Sequence, residues 1–527
     1  MSMDATPLSP DATSLPDDPA ILHRMIRELL TTLKERDREN EGLRHRLDLL
    51  LKRLYGPRAE RYNPDQPALF TDLAETAPAV SVPTPAAPEA LAPSQNGRKG
   101  HGRKTLPKHL RRERIVHDLP LAQRQCPGCG QEQVPIGEDI SEQLDYQPSS
   151  LFVVQHVRPK YACPHCRQGV TAEAKPAQPI DKGLPGPGLL AHVVVSKYAD
   201  HLPLYRLERI FARQGVDLAR STMCGWMAEC ASLLRPVYQL MMERVLASRV
   251  IHTDDTTMPV QDPDRDRTKT GRLWAYLGDP EHPYHVFDYT PTHERTGPGQ
   301  FLKNFRGYLQ ADAFSGYDGI YLTQPVVEVA CNAHARRKFY DARISDEALS
   351  HQALAYYRQL YDVERQAKAR EEQEKRFLSD DERKAWRQEK AVPILAALES
   401  WLEDQKPKVL PKSPIGQAVS YALNHWQALK RYTEAGFLAI DNNVAEREMK
   451  RIAIGRKNWL FAGSDEGGRT AAVLFSFTST CYRHSLDPFV YLRDLLRRLP
   501  AHGASLEEFL PDRWQITQTA PATTDSS

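Results

Sequence analysis

Three rhythms of apolar and polar positions run along this chain. The first is a heptad. Leu22, Ile26, Leu29, Leu33, Arg36, Asn40, Leu43, Leu47, Leu50 and Leu54 alternate steps of four and three. That spacing keeps one seam on one helix face, and the polar flanks predict a self-associating coiled coil over residues 20–57. Arg36 and Asn40 are polar seam positions of the kind that set register and strand number. Gly56-Pro57 ends the helix.

The second rhythm is helical. Leu189, Leu190, Val193, Val194 and Tyr198 recur at helical spacing. Leu207–Ala212, a break at Gly215 and Ser221–Trp226 have helix-turn-helix form, with Ser221 as the N-cap of the second helix. Arg206, Arg209, Arg213 and Arg220 lie on this stretch, so residues 176–245 are expected to form a helical DNA-binding region.

The third rhythm has period two. It predicts strands at Arg249–Thr253, Leu273–Leu277, His285–Tyr289, Tyr308–Ala311 and Val326–Ala330, with a helix at Gly299–Asn304. Three strands, a helix, a strand, a short helix and a strand is the order of an RNase H-like fold. On this reading Asp254 closes the first strand and Asp312 the fourth. Strand ends are where ligands sit in an open α/β sheet. Residues 246–344 form the first part of that core and residues 437–480 the second. Between them, residues 345–436 read as a helical insertion, with Ser379 and Ser413-Pro414 as helix starts and Gly436 as a stop. Amphipathic helix is expected from Thr470 to about Pro500, and residues 481–515 are expected to form a C-terminal helical segment. The fold class is thus multidomain α/β.

Composition adds boundaries. Residues 1–19 are rich in Pro, Asp and Ser and are expected to be disordered, as is the polar tail 516–527. Residues 58–114 read as a Pro/Ala linker followed by a basic arm, in which Arg98, Lys99, Arg103, Lys104, Arg111 and Arg112 would contact phosphate. The whole-chain charge of +2 says nothing about a polyanionic partner, so this local clustering carries that argument. The expected setting is cytoplasmic, because the N-terminus has no signal-peptide pattern and no apolar run of ~18 residues exists to span a membrane.

Four of the eight cysteines form two C-x-x-C pairs, Cys126/Cys129 and Cys163/Cys166. Two such knuckles supply the tetrahedral thiolate set that Zn²⁺ prefers, and four thiolates leave no open position. Residues 115–175 are therefore expected to be a structural four-cysteine zinc-binding domain, with a strand at Phe152–Val154 and Val157 between the knuckles.

Acidic residues beside positive charge mark a second chemistry. Asp441-Asn442-Asn443 forms a polar turn before a helix carrying Glu446 and Glu448. Lys450, Arg451, Arg456 and Lys457 follow. Asp254 in VIHTDDTT and Asp312 in GYLQADAFSGYD end apolar runs of the same character. These features predict that Asp254, Asp312 and Glu446 meet in space and bind divalent metal beside a polyanion.

The stretches LYGPRAERY, KYADHLPLYRLERIFARQGVDLARSTMCGWM, HTDDTT, RTKTGRLWAYLGD, LQADAFSGYDG, CNAHARRKF and NNVAEREMKRIAIGRKNWLFAGSDEGG, with the paired knuckles, resemble the IS66 family of insertion-sequence transposases over nearly the full length. The resemblance implies a bacterial, nucleoid-associated DDE transposase. Its partners would be transposon ends, target DNA and accessory proteins of the same element. It also implies Asp254, Asp312 and Glu446 as the catalytic acids, holding two Mg²⁺ (or Mn²⁺) ions. Asp254 would bridge them, with Asp312 on one and Glu446 on the other. His334, Arg336, Arg337 and Arg456 are expected on phosphates. Two departures stand out. Asp255 replaces the family's Glu, and Asn332 stands where an aromatic is usual. Two other readings stay open from sequence alone: a Mg²⁺-dependent nuclease without strand transfer, and a non-catalytic DNA-binding regulator.

Overall fold

The computed structural model describes residues 106–514, except 127–128, 130, 148–149, 166–169, 182, 263, 265 and 502–504, together with positions 19, 23, 30 and 32. The coiled-coil seam, the linker, Arg98, Lys99, Arg103, Lys104, Cys166 and the terminal segments 1–18 and 515–527 lie outside the described residues. The chain divides into two compact units. Among the described residues, 106–337, 353–403 and 421–514 fall in one, and Lys338–Gln352 and Asp404–Ser420 in the other. In the latter, Gly416 N–H donates to Ser413 Oγ over 3.1 Å, the capped start that Ser413-Pro414 predicts.

The larger unit begins with a small sheet. It contains β1 (Arg111–Val116), β2 (Val134–Gln147), β3 (Ser150–Ala162) and β4 (Val170–Ala172). β3 is central, parallel to β1 and antiparallel to β2 and β4. The end of the expected basic arm therefore folds into this sheet. Arg112 Nε donates to Glu142 Oε1 over 3.1 Å, and its Nη1 bonds the carbonyls of Pro107, Lys108 and Leu110.

Helices α1 (Pro187–Tyr198), α2 (Leu204–Arg213) and α3 (Arg220–Leu246) follow. The second helix of the expected helix-turn-helix is 27 residues long, and its buried face (Met223, Trp226, Met227, Cys230, Leu234, Val237, Tyr238 and Met241) joins the core. Ser221 does not cap it. The helix starts one residue earlier, where Glu208 Oε1 accepts from the Arg220 N–H over 3.2 Å.

The main sheet comprises β5 (Val250–Val260), β6 (Lys269–Leu277), β7 (His285–Thr290), β8 (Gly307–Ala311) and β9 (Val326–Ala330), ordered β7-β6-β5-β8-β9. β5–β6 and β6–β7 pair antiparallel, whereas β5–β8 and β8–β9 pair parallel. Helix α4 (Thr296–Phe301) precedes β8, and α5 (Asp318–Thr323) links β8 to β9. Asp254 does not close the first strand. β5 runs six residues further, because Thr256 to Val260 keep pairing with Leu273 to Lys269 of β6.

Next come α6 (Asn332–Ala342), α7 (Glu347–Glu374), α8 (Asp380–Gln405), α9 (Pro414–Asn424) and α10 (Trp426–Lys430). Ser379 and Glu382 form a reciprocal cap at the start of α8, with bonds of 2.8 and 3.2 Å. Buried Arg387 of α8 donates to the carbonyls of Tyr432 and Leu438 and pairs with Glu364 of α7, which ties these helices to the chain entering α11 (Asn443–Trp459).

The helical stretch expected from Thr470 to about Pro500 comprises α12 (Asp465–Arg483) and α13 (Pro488–Arg498). Asp487 caps the second, accepting from Phe489 N–H over 2.8 Å, and Pro488 takes the first helical position. α12 covers the free edge of β7. Ser476 Oγ accepts from Phe287 N–H over 2.8 Å, and Thr480 Oγ1 from His285 N–H over 3.0 Å. These hydroxyls satisfy donors that an exposed edge strand would offer to another chain. One apolar core joins both sheets and these helices, from Leu144 and Val153 through Trp226 and Trp274 to Phe477 and Tyr491.

Candidate active site

α11 lies along β5 and is fastened at both ends. At its start, Asn442 Nδ2 donates to Thr253 O over 2.8 Å, and its Oδ1 lies 3.0 Å from His252 Nδ1. At its end, Ala462 N–H donates to Pro259 O over 2.9 Å, and Gln261 N–H donates to Ala462 O over 2.8 Å. In between, Arg456 Nη1 bonds Thr257 Oγ1 at 2.7 Å and Thr256 Oγ1 at 3.2 Å. The lengths agree. Seventeen helical residues span roughly 25 Å, and the strand from Thr253 to Val260 spans roughly 23 Å.

The turn before α11 is bolted to neighbouring strands as well. Gln310 Nε2 of β8 donates to Ala439 O and Asp441 O over 2.6 and 3.1 Å. Asn332 Nδ2 donates to Leu429 O and Ile440 O over 2.9 and 3.0 Å. The two protons of the Asn332 amide serve both carbonyls, so this departure carries its own local compensation. Tyr361 OH of α7 donates to Asp441 Oδ2 over 2.9 Å.

These bonds bring the first turn of α11, with Glu446, beside Asp254 on β5. Asp312 follows β8, the parallel neighbour of β5. Its carbonyl accepts from Tyr421 OH over 3.0 Å and its Oδ1 from Phe314 N–H over 3.1 Å. Asp254 registers the convergence. Its carboxyl is pushed up to about 8, first by burial and then by the charges of Asp312, Glu446 and Asp255, against the Asp255 N–H bond that favours ionisation. The donors are all oxygens, which suits hard cations such as Mg²⁺ or Mn²⁺. Burial and the neighbouring charges both disfavour the Asp254 carboxylate, and a cation there would offset them.

The neighbouring acids have other partners. Asp255 Oδ2 accepts from Arg272 Nη1 over 2.8 Å, and its Oδ1 lies 3.5 Å from His293. Buried Glu448 accepts from Ser479 Oγ over 2.6 Å. Burial raises its pKa, but His285, Ser479 and Arg451 outweigh that and leave it below the usual range.

In the small sheet, the sulfurs of Cys126, Cys129 and Cys163 lie within 4.8 Å of one another, with Cys129 and Cys163 at 3.4 Å. Cys126 N–H donates to Gln131 O over 2.8 Å and closes the first knuckle. Three clustered sulfurs fit a thiophilic cation such as Zn²⁺. Cys166, the expected fourth ligand, is outside the described residues.

Comparison with known proteins gives these sites a family. The description "Transposase IS66 family" matches residues 182–470. The chain belongs to the IS66 transposase family. Within it, "zinc-finger binding domain of transposase IS66" matches residues 123–167, and "Transposase C of IS166 homeodomain" matches residues 42–115. The chain is also similar to proteins of Sinorhizobium fredii (strain NBRC 101917 / NGR234). "Uncharacterized protein y4jD" is 31% identical over 529 residues, covering 96% of this chain and 98% of the relative. "Uncharacterized protein y4qI" is 36% identical over 429 residues, covering 78% and 77%. The IS66 match at residues 182–470 contains Asp254, Asp312 and Glu446, and the zinc-finger match contains all four knuckle cysteines. A transposase acts on DNA, and among the described residues no helix is long and apolar enough to cross a membrane.

The basic residues of this IS66-family chain divide by occupation. Arg209, Arg213 and Arg220 on α2 and α3, and Arg337, Arg451 and Lys457, are exposed. Arg336 is half-buried. Arg112 and Arg456 hold backbone and hydroxyl groups of the fold, and Arg111 pairs with Glu113. His334 faces the acids, with its Nδ1 3.4 Å from Glu446 Oε1. Sequence reasoning missed Asn442 and Gln310, which position Glu446. Their signal was present only as polar residues in otherwise apolar or turn segments.

Proposed function

We propose that this chain is a DDE transposase whose RNase H-like core cuts the ends of its insertion sequence and joins them to target DNA. Three observations support the core assignment: the β7-β6-β5-β8-β9 order, the antiparallel β5–β6–β7 half and the parallel β5–β8–β9 half. The observation that carries the chemistry is geometric: Asn442 bonds Thr253, and Gln310 bonds the turn before α11, which holds the Glu446 helix against β5 beside Asp254.

Asp254, Asp312 and Glu446 would hold two Mg²⁺ or Mn²⁺ ions. When bound, such ions activate the attacking oxygen and relieve charge on the leaving oxygen. The protein's part is to fix the three carboxylates. Asn442 and Gln310 set the height of Glu446 against β5, and Tyr421 holds the Asp312 backbone. The exposed Arg209, Arg213, Arg220, Arg337, Arg451 and Lys457, with Arg336 and the arm residues Arg98, Lys99, Arg103 and Lys104, would bind phosphates without reading bases. Zn²⁺ on Cys126, Cys129, Cys163 and Cys166 would fix the small sheet. Residues 20–57 would pair protomers for work on two DNA ends, together with accessory proteins of the same element.

The test is a joining assay with duplex carrying the element's end and a free 3′-hydroxyl, a supercoiled plasmid target and Mg²⁺. End-joined plasmid is the expected product. Nicking without joining would reduce the protein to a nuclease, and binding with neither reaction would leave a DNA-binding regulator.

A further inference from the structure

A second set of metal-binding atoms lies against Glu446. Cys331 follows β9, and His334 sits three residues on in the first turn of α6, so both face the same way. Cys331 Sγ lies 3.8 Å from Glu446 Oε1, and His334 Nδ1 lies 3.4 Å from the same oxygen. All three donor atoms fall within 4.8 Å of one another. His334 Nδ1 is buried and makes no hydrogen bond.

We propose that Cys331, His334 and Glu446 form a soft-metal site for Zn²⁺ that shares Glu446 with the carboxylate centre. Its geometry is that of a coordination face. Tetrahedral Zn²⁺ with a sulfur at ~2.3 Å and nitrogen or oxygen at ~2.0 Å puts its ligands roughly 3.3 to 3.5 Å apart. The 3.4 and 3.8 Å separations to Glu446 lie within a few tenths of an ångström of those values, and Cys331 Sγ and His334 Nδ1 lie within 4.8 Å of each other. The chemistry separates the two sites. Asp254 and Asp312 offer oxygens only, which suit Mg²⁺, whereas thiolate and imidazole select Zn²⁺ over Mg²⁺. On binding, the Cys331 thiol releases its proton to solvent and the thiolate takes the metal. Three protein ligands leave a fourth position open.

Sharing gives a consequence that rests on the proposed role of Glu446. A Zn²⁺ ion held by Cys331 and His334 draws Glu446 away from the Mg²⁺ centre, so zinc inhibits Mg²⁺-dependent cleavage by occupying a specific site.

The test uses the full-length chain. Equilibrium dialysis against Zn²⁺ and metal analysis should show one more Zn²⁺ per chain in the wild type than in Cys331→Ser. His334→Gln, measured alongside, should lose the same ion. Co²⁺ titration of wild type carrying zinc at the knuckles alone should develop a thiolate-to-cobalt absorption band that Cys331→Ser lacks, and added Zn²⁺ should bleach it. Equal zinc content and identical cobalt spectra in all three proteins would overturn the site. In cleavage assays, Cys331→Ser should need at least tenfold more Zn²⁺ for half-inhibition than the wild type. Loss of the extra ion with unchanged inhibition would keep the metal site and overturn inhibition through it, whereas a fully active Glu446→Gln would remove Glu446 from catalysis, so the two readings fail separately.

Discussion

The Asn442 side-chain nitrogen donates to the Thr253 carbonyl over 2.8 Å, across 189 residues of chain. Thr253 precedes Asp254, and Asn442 precedes the helix turn that bears Glu446. This bond therefore joins the two halves of the site, and fully buried Asn442 also accepts from His252 and donates its backbone N–H to Cys331 Sγ at 3.2 Å.

Asn442→Ala should accordingly cost about 1–3 kcal/mol of stability, because it strands buried donors and acceptors. It should also lower the cleavage rate while leaving DNA affinity unchanged. Chemical denaturation and cleavage kinetics on the same preparation check both.

Asp255→Asn separates the adjacent acids. Arg272 loses a half-buried partner, so stability should fall by about 1–3 kcal/mol, while Mg²⁺-dependent cleavage persists. Neighbours on an extended strand face opposite sides, so Asp255 cannot share the metal face with Asp254. An inactive Asp255→Asn beside an active Asp254→Asn would shift the catalytic register by one residue.

The pH response of the metal-free chain follows from Asp254. Its carboxyl titrates near 8 in the fold, against ~3.9 when unfolded. Between those values the folded chain holds a proton that the unfolded chain has lost, so stability falls as pH rises through the window. The loss should be on the order of a few kcal/mol by pH 8. Thermal melts with chelator at pH 5 and pH 8 should show the fall, and Asp254→Asn should flatten it. Added Mg²⁺ should stabilise the wild type most at the higher pH. A wild-type melting profile that is flat with pH, matching Asp254→Asn, would remove the burial and crowding on which the site rests.

The knuckles predict zinc. Cys163→Ala with Cys166→Ala should lower the zinc content by one ion per chain and loosen the small sheet, read as faster proteolysis between residues 115 and 175. Undiminished zinc would place the ion elsewhere.

Much of the main sheet was legible, because strands alternate side chains and the pattern marks them. The predicted His285–Tyr289 and Val326–Ala330 match β7 and β9 to within one residue. β5 was cut short at Asp254 because the polar run Asp254-Asp255-Thr256-Thr257 ends the apolar alternation. Arg272 and Arg456 hold those polar side chains from other elements, and their positions are invisible locally. β2 was missed because VPIGEDISEQLDYQ lacks a strand-like pattern, and its pairing with β3 supplies the order. Ser221 has the usual side chain of a cap, yet Glu208, twelve residues before Arg220, takes the Arg220 N–H at the helix start. At the site, the acids were visible as residue types beside basic runs. The bonds of Asn442, Gln310 and Asn332 that converge them were not, since each links segments far apart in sequence.

Whether Asp254, Asp312 and Glu446 act as one metal-holding set is decided by cleavage of end-labelled DNA carrying the element's ends, with gel-shift binding alongside. Asp254→Asn, Asp312→Asn and Glu446→Gln should each lose Mg²⁺-dependent cleavage and joining, since each removes a ligand that positions a metal. DNA binding should persist, because basic side chains supply the affinity. Cleavage at wild-type rates by all three folded, DNA-binding variants would refute the shared set.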